Sequence, residues 1–348
     1  MKDTCDLVRS WLKECVSLHD QCSVVDLPCL PTRVLKLSGC HGSPSIKLLE
    51  TNGKKERYCA LSHCWSPVEK QPLRTMRANL QIHLAGIDFQ QLPKTFKDAV
   101  TFARGIDIDY VWIDSLCIIQ DHPQDWSSEA KKMGKIYRNA ALVIFAAGAN
   151  DSTEGLFLTE RPPAVVNKVP YVSDGVVKGS INITLLPNGK LSPHEGPLHT
   201  RGWALQEWLL SQRRMFFMSG GVSWDCHTMF TTSERGSPEG LSIYELVSWY
   251  HLLSKYTERK LSHSSDRPYA LQGIVAEMQQ TRQDQFLYEY GVWESELHEH
   301  VLWRQTELDA PEDQSLDLPS WCWAATGGTK VWCALYHSMN FRYLPKAL

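Results

Sequence analysis

Two short apolar runs on either side of one amphipathic helix, between residues 108 and 148, restrict the fold more than any other feature. Ile108 to Ile113 ("IDYVWI") and Ala141 to Gly148 ("ALVIFAAG") are rich in β-branched and aromatic residues and read as buried strands. Between them Trp126, Ala130, Met133 and Tyr137 recur at i, i+4, i+7 and i+11, the period of a helix with one apolar face. Asp125 stands just ahead, where a carboxylate can cap the first unpaired amides. Upstream, Phe96, Ala99, Val100 and Ala103 line another helical face, and Gly105 follows as a stop. A strand, a helix and a strand in that order need a crossover, so the strands run parallel and helices cover the sheet.

In such α/β sheets ligands bind outside the carboxyl ends of the strands. The connection from Asp114 to Asp125 lies at that edge, and about a dozen residues is long for a strand-to-helix link. It is also crowded with polar groups: Asp114, Ser115, Cys117, Asp121 and Asp125.

The remaining chain divides into three parts. In residues 1–45, Leu7, Val8, Trp11, Leu12 and Val16 have near-helical spacing and predict a docking helix, followed by a proline-punctuated extended segment. Residues 46–230 hold the sheet. There, Asn52-Gly53 between two apolar runs predicts a hairpin whose second strand is Tyr58 to Ser62. The Pro- and Gly-rich stretch Gly155 to Gly196 predicts β insertions, and Met215 to Met218 with Val222 to Cys226 predict two strands around a Gly-Gly turn. Residues 231–348 are mostly helical by period, "LSIYELVSWYHLLSKYT" most clearly, and end in a Trp-rich, strand-like segment. The thirteen tryptophans are expected chiefly as core fillers.

A net charge of -3 gives no electrostatic reason for a nucleic-acid or membrane partner, and no apolar stretch approaches the length of a membrane span. The first residues lack the apolar centre of a secretory signal. Eleven cysteines, an odd count without tight spacing, point to reduced thiols in the cytoplasm rather than to a disulfide framework. Cys59 and Cys64 could be joined by Cys226 and His227 around a metal, but no second compact pair supports this, and no metal or resident cofactor is expected.

Three motifs resemble the signature of the fungal heterokaryon-incompatibility (HET) domain: "YCALSHCW" at 58–65, the long block from "LPKTFKDAV" through "IDYVWIDSLCIIQD" to "DWSSEAKKMGKIYRNA" across 92–140, and "RGWALQE" at 201–207. The segments "SSDRPYALQGIVAE", "YEYGVWESELHEHVLW" and "PSWCWAA" resemble regions that often follow that domain. His63 stands where the family usually shows Tyr, and Ser66 where it shows Gly, a swap that could alter a turn. The resemblance implies a role in non-self recognition and programmed cell death. With no nucleotide-binding or β-propeller extension following, partner signalling proteins or self-association are expected.

HET domains are in turn remotely similar to the Toll/interleukin-1 receptor (TIR) domain, which implies a flavodoxin-like parallel sheet. Some TIR domains cleave NAD at the nicotinamide–ribose bond, with a glutamate in a context similar to "DWxxxE". "DWSSE" brings Glu129 near that position, one residue closer to the tryptophan, so Glu129 is the candidate catalytic residue, and NAD is expected as a substrate rather than a cofactor. Its alternative is a helix-start acid favoured by the dipole.

The candidate ligand wall is Ser62, His63, Trp65, Asp114, Ser115, Cys117, Asp121, Arg201, Trp203 and Glu207. Each has a plainer reading. Asp114, Asp121 and Asp125 could cap backbone amides. Cys117 and Cys64 could be nucleophiles with His63 or His122 as base, or buried thiols. Trp65 could stack on a flat ring or fill core. Arg201 could bind an anion or form a buried ion pair with a carboxylate such as Asp114 or Glu207. Three functions stay open: an NAD-like nucleotide hydrolase of incompatibility, a non-enzymatic signalling module, and an enzyme recruited to fungal secondary metabolism.

Overall fold

A mixed sheet of eight strands forms the frame: β1 (Arg33–Cys40), β2 (Ser43–Glu50), β3 (Cys59–Ser62), β4 (Tyr110–Trp112), β5 (Leu142–Phe145), β8 (Arg213–Met218), β9 (Gly221–Cys226) and β10 (Phe230–Thr232), with β6 (Val165–Ser173) and β7 (Val176–Leu185) paired apart as a separate hairpin. The computed structural model describes residues 1–22, 27–40, 43–65, 71–158, 165–173, 175–185, 193, 196–232, 249–267, 269–280, 282–306 and 318–332. The spatial order is β10-β9-β8-β5-β3-β4-β1-β2.

The four middle strands are parallel: β3 pairs with both β4 and β5, and β5 pairs with β8. Burial explains why these segments hold the centre. Every residue of β3, β4 and β5 is buried, so each needs a neighbour on both sides and helices above and below. Counted along the chain, the four lie in the order 2-1-3-4, the arrangement of flavodoxin-like doubly wound sheets, and the order reverses between β3 and β5. The expected parallel sheet therefore stands, with an antiparallel pair added on each edge: β1 and β2 beside β4, β9 and β10 beside β8.

The helices are α1 (Lys2–Leu18), α2 (Leu80–Ala85), α3 (Lys94–Gly105), α4 (Asp114–Cys117), α5 (Pro123–Ala130), α6 (Met133–Asn139), α7 (Gly202–Leu210), α8 (Trp249–Thr257), α9 (Tyr269–Met278) and α10 (Leu297–His300). The crossovers β3-α3-β4 and β4-α5-α6-β5 step in opposite directions along the sheet. Right-handed connections then put α3 on one face and α5–α6 on the other. α1 packs on α3 and β9, and α6 packs on α7 and α9. The predicted docking helix is thus real, burying Cys5, Val8, Trp11 and Cys15 against the sheet domain.

α7 is shared. Ala204 belongs to the main core, whereas Leu205 and Leu210 belong to a second core built with Trp249, Leu253, Ile274, Trp293 and Trp323 of the carboxyl-terminal region. Trp112, Trp224 and Trp293 are among the largest fully buried side chains, the filler role expected of them. α6 and α9 cross at Gly134 and Gly273, where a Cβ on Gly134 would meet the Gly273 Cα at 2.8 Å. The backbones touch because neither residue has a side chain.

Two expectations are corrected. Asn52-Gly53 does turn, with φ of 48° and 78°, but the flanking strands do not pair with each other. β2 pairs with β1, while the wholly buried β3 inserts between β4 and β5. Asp125 does not cap its helix. His122 is the N-cap and Pro123 the first residue, leaving Asp125 third in the first turn, where its carboxylate accepts from Ile119 N at 2.9 Å and pairs with Arg33 Nη2. Of the helix expected in "LSIYELVSWYHLLSKYT", α8 covers the second half, and the first half lies outside the described residues.

Candidate functional site

β3 delivers Ser62 to the carboxyl edge of the sheet beside the order reversal, and the chain continues through His63, Cys64 and Trp65. β4 ends one residue before Ile113, whose extended backbone starts α4 with Asp114 in its first turn. α7 opens at Arg201, its N-cap residue, and places Glu207 a turn and a half further on. α6 contributes Tyr137. Residues far apart in the chain thus reach one edge.

They gather as a cluster of three hydrogen-bonded groups whose charges lie close enough to influence one another. Ser62 Oγ donates to the Glu207 carboxylate, both side chains being buried. The Tyr137 hydroxyl lies between the Leu61 carbonyl, at 3.2 Å, and Glu207. Trp65 Nε1 donates to Asp114 Oδ2 at 2.7 Å, and Ser115 N donates to Asp114 Oδ1 at 2.7 Å. Arg201 donates to the His63 carbonyl, bridging α7 to the end of β3. The His63 ring meets Phe96 edge-on with centroids 4.9 Å apart, and its Nδ1 is 3.8 Å from Asp114 Oδ1, too long for a hydrogen bond.

Burial sets the protonation of this cluster. It pushes the Glu207 carboxyl up to about 7, against the opposing pull of Arg201 and of the Ser62 hydroxyl. It pushes His63 down to about 4 although Asp114 favours the charged ring. His63 is therefore neutral near pH 7 and forms no ion pair with Asp114. Among the described residues, His63 Nε2 and Ser115 Oγ are buried without a hydrogen-bond partner.

Several expected residues lie elsewhere. Glu129 is buried, with Oε1 accepting from Thr32 Oγ1 at 2.8 Å and Lys132 Nζ at 2.7 Å, and with Oε2 lacking a partner among the described residues. Its contacts are with the segment before β1 and with the link between α5 and α6, not with the Ser62–Glu207 cluster. Asp121 is exposed and accepts from Arg77 N at 2.8 Å. Cys117 is buried and its thiol is pushed up to about 12, while Cys64 is pushed up to about 11, so neither offers an appreciable thiolate near neutral pH. Trp203 donates to Asp266 at 3.1 Å and meets Trp126 edge-on, joining α7 to the carboxyl-terminal region. Cys59 and Cys226 do not share a site: β5 and β8 lie between their strands.

Tyr137 was visible in sequence only as one apolar position of a helical stripe. A tyrosine rather than phenylalanine in such a stripe signals a polar partner inside, because a buried hydroxyl needs one. Beyond the cluster, a cavity of about 320 Å3 opens in the carboxyl-terminal region, lined by Arg259, Ser262, Arg267 and Gly327 among others. Arg259 connects it to the cluster by donating to the Arg201 carbonyl at 3.3 Å. No helix among the described residues is long and apolar enough to cross a membrane.

A family model described as heterokaryon incompatibility protein (HET) matches residues 58–207, a span that begins beside β3 and ends on Glu207. Neither a curated protein nor a solved structure matches the chain.

Proposed function

Residues 58–207 are a heterokaryon incompatibility (HET) domain, and from that premise we propose that the chain acts in fungal non-self recognition and programmed cell death by hydrolysing NAD or a similar nucleotide in the cytoplasm. The observation that carries this reading is the convergence of Ser62, Trp65, Asp114, Arg201 and Glu207 at the carboxyl edge of the parallel strands, beside the order reversal where doubly wound sheets take their ligands.

Glu207 suits the reacting carboxylate better than Glu129. Trp203 and Glu207 have the tryptophan-x3-glutamate spacing that "DWSSE" misses by one, and Glu207 lies within the cluster. In the reaction the nicotinamide nitrogen leaves with the electron pair of the C–N bond, and the anomeric carbon turns cationic. An ionised carboxylate stabilises that charge, as in glycoside cleavage. Water then adds to the carbon and releases one proton, giving nicotinamide and ADP-ribose. A carboxyl that titrates near 7 is well placed to hold or release that proton. Ser62 and Tyr137 orient Glu207, and Trp65 offers a ring edge beside Asp114.

A second reading rests on a different observation. Glu207 is already paired with Ser62, and Arg201 with the His63 carbonyl. A carboxylate and a guanidinium paired within the chain suit a signalling module that acts through partner proteins or self-association. Inducible expression in a fungal host separates the two. Cellular NAD should fall before growth stops, and Glu207→Gln should abolish both. Growth arrest at constant NAD, unchanged by Glu207→Gln, would favour the non-enzymatic module.

A further inference from the structure

We propose that Cys15, His19, Cys22 and Cys226 form a structural zinc site that fastens the amino-terminal helix to the outer strands of the sheet. The ligand atoms of these four residues all lie within 4.8 Å of one another. Cys15, Cys22 and Cys226 are buried. The grouping lies outside residues 58–207 and serves none of the chemistry of the Ser62–Glu207 cluster.

The chain is shaped to bring them together. Cys15, His19 and Cys22 follow at i, i+4 and i+7, the spacing of one helical face. α1 ends at Leu18, and a single tight turn, Asp20–Cys22, folds the third ligand back under the first. Cys226 closes β9, on which α1 packs. His19 Nδ1 is 3.5 Å from Cys226 Sγ.

Three thiolates and one imidazole fill the four positions of tetrahedral zinc, leaving none for water or substrate, which is the pattern of a structural rather than catalytic centre. Zinc–sulfur bonds of about 2.3 Å hold sulfur atoms about 3.8 Å apart, so the metal needs only small inward shifts of these side chains. On binding, Zn2+ displaces the three thiol protons to solvent. The resulting centre carries one net negative charge, and the surroundings answer it. The buried Arg213 donates from Nε to Cys15 Sγ at 3.3 Å and from Nη2 to the Cys22 carbonyl, and among the described residues no carboxylate pairs with it. Met229 N donates to Cys226 Sγ at 3.3 Å. A buried guanidinium and an amide aimed at sulfur are the outer contacts that hold metal-bound thiolates.

Metal analysis of the full chain, purified under reducing conditions without added metal, tests this. The protein should carry about one zinc per chain. After stripping and reloading with Co2+, it should show thiolate-to-cobalt charge transfer and the visible bands of a tetrahedral centre. Cys226→Ser should lose most of the metal, while Cys5→Ser, a buried cysteine of the same helix outside the set, should keep it. The wild-type cobalt spectrum stands even if Cys226→Ser fails to fold. Metal-free protein with no tetrahedral cobalt spectrum would overturn the proposal. So would a Cys15–Cys22 disulfide in the native chain, or equal metal retention by both variants.

Discussion

Ser62 at the end of β3 donates its hydroxyl to the carboxylate of Glu207 on α7, and burial holds that carboxyl at a proton affinity near neutrality. The bond joins the first and last motifs of the HET domain, and burial, which outweighs the bond's own pull toward the ionised form, makes Glu207 responsible for a pH dependence that a surface glutamate would not confer.

The sign follows from linkage. Glu207 titrates at about 7 in the folded chain against an ordinary value of 4.5, so the folded state holds its proton more tightly. Its contribution to stability is fully present below pH 4.5 and is lost as pH rises through 7. Glu207→Gln removes that loss. The melting temperature of the variant relative to wild type should therefore rise between pH 4.5 and 7. A constant difference across that window would contradict the assignment.

His63 acts in the opposite sense. Its folded value is about 4 against an ordinary 6.5, so its contribution is present above pH 6.5 and is lost as pH falls through 4. Its ring resonances should stay those of the neutral form down to about pH 5, followed by NMR of the labelled protein. A midpoint near 6.5 would mean that the ring is solvated.

Gly134 and Gly273 predict the cost of separating α6 from α9. Gly134→Ala places a methyl 2.8 Å from the Gly273 Cα and 3.0 Å from Leu210 Cδ1. Because the obstacle is partly backbone, the helices must part, at a cost of about 1–3 kcal/mol in denaturant unfolding. An alanine variant as stable as wild type would show that the crossing is loose.

Arg33 and Asp125 hold the polar connection in place. The guanidinium reaches the Cys117 carbonyl at 2.8 Å as well as Asp125, and both side chains are largely buried. Asp125→Ala leaves a buried cation and the Ile119 amide unpaired and should cost about 3 kcal/mol or more. Loss of under about 0.5 kcal/mol, the scale of exposed pairs, would contradict the role.

These contacts mark how far the chain was legible as sequence. The parallel core was readable because β4 and β5 are unbroken apolar runs, and such runs fit only the middle of a covered sheet. The strand-end rule likewise brought Ser62 and Asp114 to one edge, whereas Arg201 and Glu207, on a helix, entered only through the third motif of the resemblance. Pairing was less readable: Asn52-Gly53 is a genuine turn, yet β3 leaves its neighbour because burial on both faces outweighs a local hairpin. Asp125 looked like a cap because Arg33, its partner, is distant in the chain. Tyr137 was hidden in an apolar stripe, and the Cys15–His19–Cys22 spacing pointed nowhere until β9 brought Cys226 beside it.

Release of nicotinamide from NAD by the purified chain, concentrated or clustered to allow assembly, tests the central claim most directly. Wild type should release it, Glu207→Gln should fall by about a hundredfold or more, as expected for loss of a group that stabilises the transition state, and Glu129→Gln should retain most of the activity. No release by wild type under any of these conditions, or equal release by wild type and Glu207→Gln, would contradict the account.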